Sequence, residues 1–389
     1  MKFETKAISI QTERSQHSEH STPLFPTSSF IFDDAEDMRA KFTGERPGNI
    51  YSRFTNPTVR ELEIKMAALE GGENAIATAS GMAAIFTCFA SFLSSGDHLV
   101  MSRAVFGSTF RLTENYLEKW NIGYSFANLG DVASWEKLIT PKTKMVYLET
   151  PSNPGLEIID LEEVGKLCKK HQVLMVVDNC FATPYLQKPM QYGADIVIHS
   201  ATKYIDGQGR VLGGVIVASN DLIEAMYPFM KNAGPSLSPF NAWVLTKSLE
   251  TLSVRMDRHC DNAYEFAQRI KDHESVSMVK YPFLPSHPKF AIASRQMTGG
   301  GGIVAFEVAG GLEQGRKFLD AIEMCSLSAN LGDTRTIVTH PASTTHSKLS
   351  PTQRLEVGIT NGLIRVSVGL EHIDDITSDI IQALDKSKL

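Results

Sequence analysis

Cysteine is scarce and scattered: Cys88, Cys168, Cys180, Cys260 and Cys325 are the only five in 389 residues. An odd count without a close pair excludes a disulfide scaffold and offers no zinc spacing, so these read as reduced thiols. Long apolar runs are also missing. No stretch reaches the ~20 residues a membrane-spanning helix needs, and the start, Met1-Lys2-Phe3-Glu4-Thr5-Lys6, lacks an apolar signal-peptide core. Neither sign of charge is in large excess. A formal net charge of -6 gives no electrostatic reason to bind nucleic acid. There is no Walker A pattern, no metal-ligand cluster and no tandem repeat. These absences leave a cytoplasmic protein that works on small molecules.

What is present is ordinary for a globular chain, with 42% hydrophobic and 21% charged residues. The length is too great for one small core and predicts two unequal domains. Residues 1–45 read as an N-terminal arm, polar from Ser9 to Ser21 and then aromatic (Phe25, Phe30, Phe32, Phe42), with a short helix over Asp33–Lys41. Such a segment cannot build its own core, and a partner subunit is a reasonable host. From residue 46 to 245 strands and helices alternate. Strands are expected at Ala75–Ala79, His98–Met101, Gly123–Phe126, Met145–Glu149, Val173–Val177, Ile196–Ser200 and Gly214–Ala218. Helices are expected at Thr58–Glu70 (Thr58 as cap with Glu61), Ala83–Leu93, Phe106–Lys119 and Leu161–His171. That alternation predicts an α/β domain with a mostly parallel sheet covered on both faces. A long helical segment, Pro239–Ile270, leads into a smaller α+β domain over residues 246–389. Its strands fall near Ile303–Val308 and Leu363–Val368, and its helices near Glu313–Ala321 and Ile373–Leu384.

Two strand ends carry the chemistry. Val173-Leu174-Met175-Val176-Val177 ends in Asp178, and Ile196-Val197-Ile198-His199 runs into Ser200-Ala201-Thr202-Lys203. A carboxylate and an amine delivered side by side can grip the two poles of pyridoxal 5'-phosphate: the aldehyde takes a primary amine, and the ring nitrogen needs an acid partner. Alone, Lys203 is more often a surface lysine and Asp178 frequently a helix cap; their pairing gives each a job. Ser80-Gly81-Met82 lies between a strand and a helix, the arrangement that aims free backbone N–H groups at a phosphate. Ser200 and Thr202 add hydroxyl groups. Tyr51 and Arg53 supply a phenol and a guanidinium fork for a phosphate dianion, reaching either this site or a neighbour's. Phe106 is a candidate to lie over the cofactor ring, although a lone aromatic at helical spacing is more often core, and Arg365 is a candidate to hold a substrate carboxylate. His199 reads as a packing histidine; His340 and His346 flank a Ser/Thr-rich loop at the site entrance.

Taken in order, Tyr51-Ser52-Arg53, Ser80-Gly81-Met82, Glu149-Thr150-Pro151-Ser152-Asn153-Pro154, Val177-Asp178-Asn179 and Ser200-Ala201-Thr202-Lys203-Tyr204 resemble the Cys/Met-metabolism, or trans-sulfuration, family of pyridoxal-phosphate enzymes. The resemblance extends from about Thr22 to the C-terminus. It implies a fold-type-I architecture and a homotetramer built as a dimer of dimers with shared active sites. It further implies Tyr51 and Arg53 in the partner subunit's phosphate site, Asn153 against the ring substituents, Ser200 and Thr202 by the phosphate, and Arg365 on the substrate α-carboxylate.

Within the family, Ser200 to Arg210, Asn330-Leu331-Gly332-Asp333-Thr334-Arg335 and Thr339 to His346 resemble the branch that joins O-succinylhomoserine to sulfide. Cystathionine synthases and lyases typically have Ser at the position of Asn330 and Glu at that of Arg335. An arginine there repels the distal amine of a cysteine-derived group, whereas sulfide has none. Methionine γ-lyases tend to have Tyr and Cys where this chain has Phe106 and Ser108. The resemblance therefore implies a transferase of methionine biosynthesis that forms homocysteine and succinate by γ-replacement. Asn330, Arg335 and Arg365 are its substrate-binding residues, and Lys203, Asp178 and Tyr51 its catalytic ones. Cystathionine γ-synthase, O-acetylhomoserine sulfhydrylase and methionine γ-lyase activities are the alternatives.

Overall fold

The computed structural model describes residues 1–129, 131–348, 350–356 and 358–388. Strands β1 (Asn74–Thr78), β2 (His98–Ser102), β3 (Gly123–Ala127), β4 (Thr143–Glu149), β5 (Leu174–Asp178), β6 (Ile196–Ser200) and β7 (Gly214–Ala218) form one seven-stranded sheet, ordered β1-β7-β6-β5-β4-β2-β3. β7 runs antiparallel to both of its neighbours, and the remaining pairs are parallel. Parallel strands need cover on both faces, which explains apolar runs without alternation. Met101, Val176 and Ile198 pack with Phe89 of a helix on one face, while Val146, Val177 and Val197 pack with Val164 of another on the opposite face.

A second sheet comprises β8 (Val276–Lys280), β9 (Ile303–Val308), β10 (Ser326–Leu327), β11 (Ile337–Thr339) and β12 (Leu363–Ser367), ordered β10-β11-β12-β9-β8. All of its pairs are antiparallel except β10–β11. Its apolar face packs with the helices Leu252–Ile270 and Ile373–Lys386 through Phe266, Phe306, Ile364 and Ile380.

Helix α1 (Phe3–Ser9) lies in the arm but rests on its own chain, with Ala7 buried and the Phe3 ring 5.0 Å from that of Tyr185. The arm also exposes apolar groups, at Met1 and Ile8, at Ile31 and, in α2 (Ala35–Thr43), at Met38 and Phe42. Helix α3 (Pro57–Glu70) is capped by Asn56, not Thr58. Pro57 at the first helical position fixes the start one residue earlier, and the Asn56 side chain accepts from the Thr58 N–H at 2.9 Å. Glu61 does not close a capping box; its carboxylate accepts from the Thr12 N–H at 2.5 Å. Helix α4 (Gly81–Phe92) begins with Ser80 as cap, two residues before the expected start.

The expected helix over Phe106–Lys119 is shorter and irregular: α5 (Gly107–Leu112) widens into a π turn over Thr113–Leu117 and ends in a tight 3₁₀ turn. Helix α6 (Leu161–His171) keeps its expected limits. Pro239–Ile270 is not continuous, because it breaks between Leu249 and Leu252 into two helices. The helix Asn220–Ala233 and strands β8, β10 and β11 go unmarked in the sequence reading, being short or interrupted by polar residues and, in the helix, by Pro228.

Candidate active site

A cavity of about 580 Å³ opens at the C-terminal ends of β4, β5 and β6, within the ~300–1,000 Å³ usual for small-ligand sites. It lies where open α/β sheets bind ligands, outside the carboxyl ends of the strands. Gly81, Met82, Phe106, Asn153, Asp178, Ser200, Lys203 and Arg365, all singled out in the sequence, line this one space.

Asp178 closes β5 and pairs in register with Glu149 at the end of β4. It is buried, accepting from the Cys180 N–H at 3.1 Å and the Tyr147 hydroxyl at 3.3 Å. Burial pushes its carboxyl above the usual range, against the opposing pull of the Cys180 N–H and of His199. An ionised Asp178 therefore gains most from a cation placed directly on it, as a protonated ring nitrogen would be. Lys203 follows β6 by three residues, and its Nζ donates to the Asn330 Oδ1 at 2.8 Å. Burial holds its amine below the ordinary lysine range, with Cys180 raising it and Arg365 lowering it.

The α4 N-terminus meets this space edge on. Its first N–H groups have no intrahelical acceptor, and the Ser80 side chain takes only that of Ala83, at 3.1 Å. A Cβ on Gly81 would meet the Cβ of Ser200 at 2.6 Å, so only glycine lets the helix end reach β6. Amine, carboxylate, open helix end and the half-exposed ring of Phe106 thus converge as a pyridoxal 5'-phosphate cradle requires.

Arg365, on β12, is buried, and burial pushes its guanidinium down to about 10. It donates to Asn153 Oδ1 at 3.1 Å, to the Asn330 carbonyl at 2.9 Å and to Thr339 Oγ1 at 3.2 Å. One charged fork therefore ties the two sheets together and still faces the cavity.

Other expected residues lie elsewhere. Thr202 turns away: its hydroxyl donates to the Gly213 carbonyl at 3.3 Å and accepts from the Gly213 N–H at 3.1 Å. Arg335 does not line the cavity. Its exposed guanidinium folds onto Asp333 at 3.1 Å, so the expected repulsion of an amine acts from outside this wall. Tyr51 is 42% exposed, and Arg53 stacks over Phe54 at 4.7 Å while donating to the Lys231 carbonyl; neither lines the cavity of its own chain. His199 is fully buried against Glu70, with its Nε2 2.8 Å from the carboxylate. His340 is held between Ser343 and the Asn361 carbonyl, whereas His346 does face the cavity.

Three residues of the lining, and Tyr147 buried behind it, have no role in the sequence reading. Tyr147 holds Asp178, Glu149 accepts from the Phe106 N–H at 2.7 Å, and Arg111 and Lys348 stand at the mouth. Glu149 alone carried a signal, a charge closing the apolar run Met145-Val146-Tyr147-Leu148.

Fold and site define a fold-type-I pyridoxal-phosphate enzyme. The family model described as "Cys/Met metabolism PLP-dependent enzyme" matches residues 4–385, and the chain belongs to that family. An O-succinylhomoserine sulfhydrylase of Pseudomonas aeruginosa is 47% identical over 98% of this chain and 95% of its own. An L-methionine gamma-lyase of Fusobacterium nucleatum subsp. polymorphum is 42% identical over 98% of each chain. Among solved structures, a Campylobacter jejuni protein provisionally assigned as an O-acetylhomoserine (thiol)-lyase superposes with a TM-score of 0.95 at 33% identity. The match covers 99% of this chain and all of that one, which carries N'-pyridoxyl-lysine-5'-monophosphate.

Proposed function

We propose that the protein exchanges the γ-succinyloxy group of O-succinylhomoserine for sulfide, giving homocysteine and succinate. Overall similarity leaves the reaction open, since sulfhydrylases and γ-lyases both match along the whole chain. The observation that carries the choice is that the cavity lining holds two further cations, Arg111 and Lys348, besides Lys203 and Arg365. His346 is pushed down to about 4 by burial and then by Arg365 and Arg111, so it lies within electrostatic reach of both. Arg111 and Lys348 against Glu114 leave the mouth net positive. A substrate with two carboxylates can engage both Arg365 and these cations, whereas methionine and O-acetylhomoserine offer one.

Pyridoxal phosphate supplies the electron sink that lets protons leave the carbons α and β to the substrate amine. Arg365 grips the α-carboxylate and orients the Cα–H bond toward Lys203. Lys203, its amine already biased toward the neutral form, takes the α-proton and moves a β-proton, so that the γ-ester oxygen departs. Asp178 holds its charge against the ring nitrogen, and Phe106 covers the ring face without offering a phenolic proton. Arg111 and Lys348 bind the distal carboxylate and then the leaving succinate. A second copy of the chain contributes Tyr51 and Arg53 to the phosphate, in keeping with their absence from this chain's own cavity.

Four assays test the reading: succinyl and acetyl esters of homoserine, each with sulfide and with cysteine. Homocysteine from the succinyl ester with sulfide is the expected product. Preferential cystathionine formation, or 2-oxobutyrate from methionine without an acceptor, would overturn it.

A further inference from the structure

We propose that Glu149 is a positioning residue that fixes the ring-facing wall of the active site by accepting the backbone N–H of Phe106 beside the loop carrying Asn153. Its Oε2 accepts from the Phe106 N–H at 2.7 Å, and the Asn153 backbone lies close enough to pull its carboxyl toward the charged form. Phe106 stands immediately before α5, which spans six residues and has no side-chain cap of its own. Since α5 then runs into a π turn, the start of this segment has no regular helix behind it to fix its angle. Glu149 supplies that anchor from the end of β4, a central strand, and is only 3% exposed.

The Asn153 loop beside Glu149 leads on to the substrate end of the site. Asn153 Oδ1 accepts from Arg365, Arg365 donates to the Asn330 carbonyl, and Asn330 Oδ1 accepts from Lys203. Glu149 therefore holds the aromatic cover and stands next to the first link of the chain that reaches the Arg365 guanidinium and the reactive amine.

Acceptor geometry, not charge, carries the role. Burial and then the neighbouring Asp178 carboxylate hold the Glu149 carboxyl well above the usual range, and a neutral carboxyl still accepts through its carbonyl oxygen. An amide of equal length should replace it, whereas a carboxyl shorter by one methylene should not.

The inference rests on the pyridoxal-phosphate site, and the test compares E149Q, E149D and E149A as holoenzymes. Visible circular dichroism of the bound cofactor, its dissociation constant, and kcat and KM are measured, with far-UV spectra to verify folding. E149Q should keep the wild-type ellipticity and cofactor affinity. E149D and E149A should lose ellipticity, weaken the cofactor by at least about tenfold, the equivalent of one lost hydrogen bond, and lower kcat more than they raise KM. A wild-type-like E149D beside a damaged E149Q would overturn the proposal in favour of charge. Equal damage in those two variants, or none in any of the three, would overturn it as well. Failure of the wild-type chain to take up pyridoxal phosphate would instead count against the site itself.

Discussion

The Lys203 amine donates to the side-chain oxygen of Asn330 over 2.8 Å, which joins the end of β6 to the loop preceding β11. That bond favours the protonated amine, while burial works the other way and prevails. Capture of the cofactor aldehyde requires the neutral amine. Its rate in the apoenzyme should therefore rise with pH, with a midpoint below the ~10.4 of a free lysine. Asn330→Ala removes an acceptor from the charged form and should move the midpoint lower still. Stopped-flow absorbance against pH checks both; a midpoint at the free-lysine value would contradict the burial argument. Lys203→Ala should abolish the visible band of lysine-bound cofactor and cut turnover by at least about 10³.

Asp178 tests the opposite pole. Asp178→Asn keeps the shape and the bond from the Cys180 N–H but cannot hold a negative charge against the ring nitrogen. Turnover should fall by about 10² or more, with a smaller change in KM, because the lost interaction strengthens as charge develops during reaction. Steady-state kinetics with the succinyl ester decide this, and unchanged turnover would remove Asp178 from the mechanism.

The two strand ends were legible because each apolar run stops at a chemistry-bearing residue: Val177 at Asp178, and Ile198 close to Ser200 and Lys203. Gly81 was legible through the strand–turn–helix pattern, although its tightest constraint proved to be the approach to Ser200. Thr202 and Arg335 are held off the cavity lining for one reason. Local sequence marks a polar group near the site but not its direction, and nearby partners, the Gly213 backbone and Asp333, capture them. Tyr147 and Arg111 were invisible because a tyrosine inside a strand and an arginine on a short helix look like packing and surface. The irregular turns after α5 escaped because apolar spacing records a helical face and not the small shift from an α to a π repeat.

The mouth of the cavity yields a contrast between two arginines. Arg365→Lys keeps the charge but loses the fork, and should raise KM for every homoserine ester by at least about tenfold. Arg111→Ala should penalise the succinyl ester about tenfold while leaving the acetyl ester nearly untouched, since only the former carries a distal carboxylate. Paired kcat/KM measurements give the ratio directly. An equal loss on both esters would mean that Arg111 supports the fold of this wall and does not read the acyl group.

Tyr51 and Arg53 give the sharpest test of assembly. Tyr51 is exposed and Arg53 half-buried on their own chain, and neither lines its cavity, so their proposed work on a phosphate would be done for another copy. Arg53→Ala and Lys203→Ala should each be inactive alone. In a mixed dimer, one site collects both defects and the other collects none. Refolding equal amounts together should therefore restore about a quarter of wild-type activity, because half of the dimers are mixed and each has one intact site of two. If every site were built within one chain, both halves of the mixture would stay defective and no activity would return.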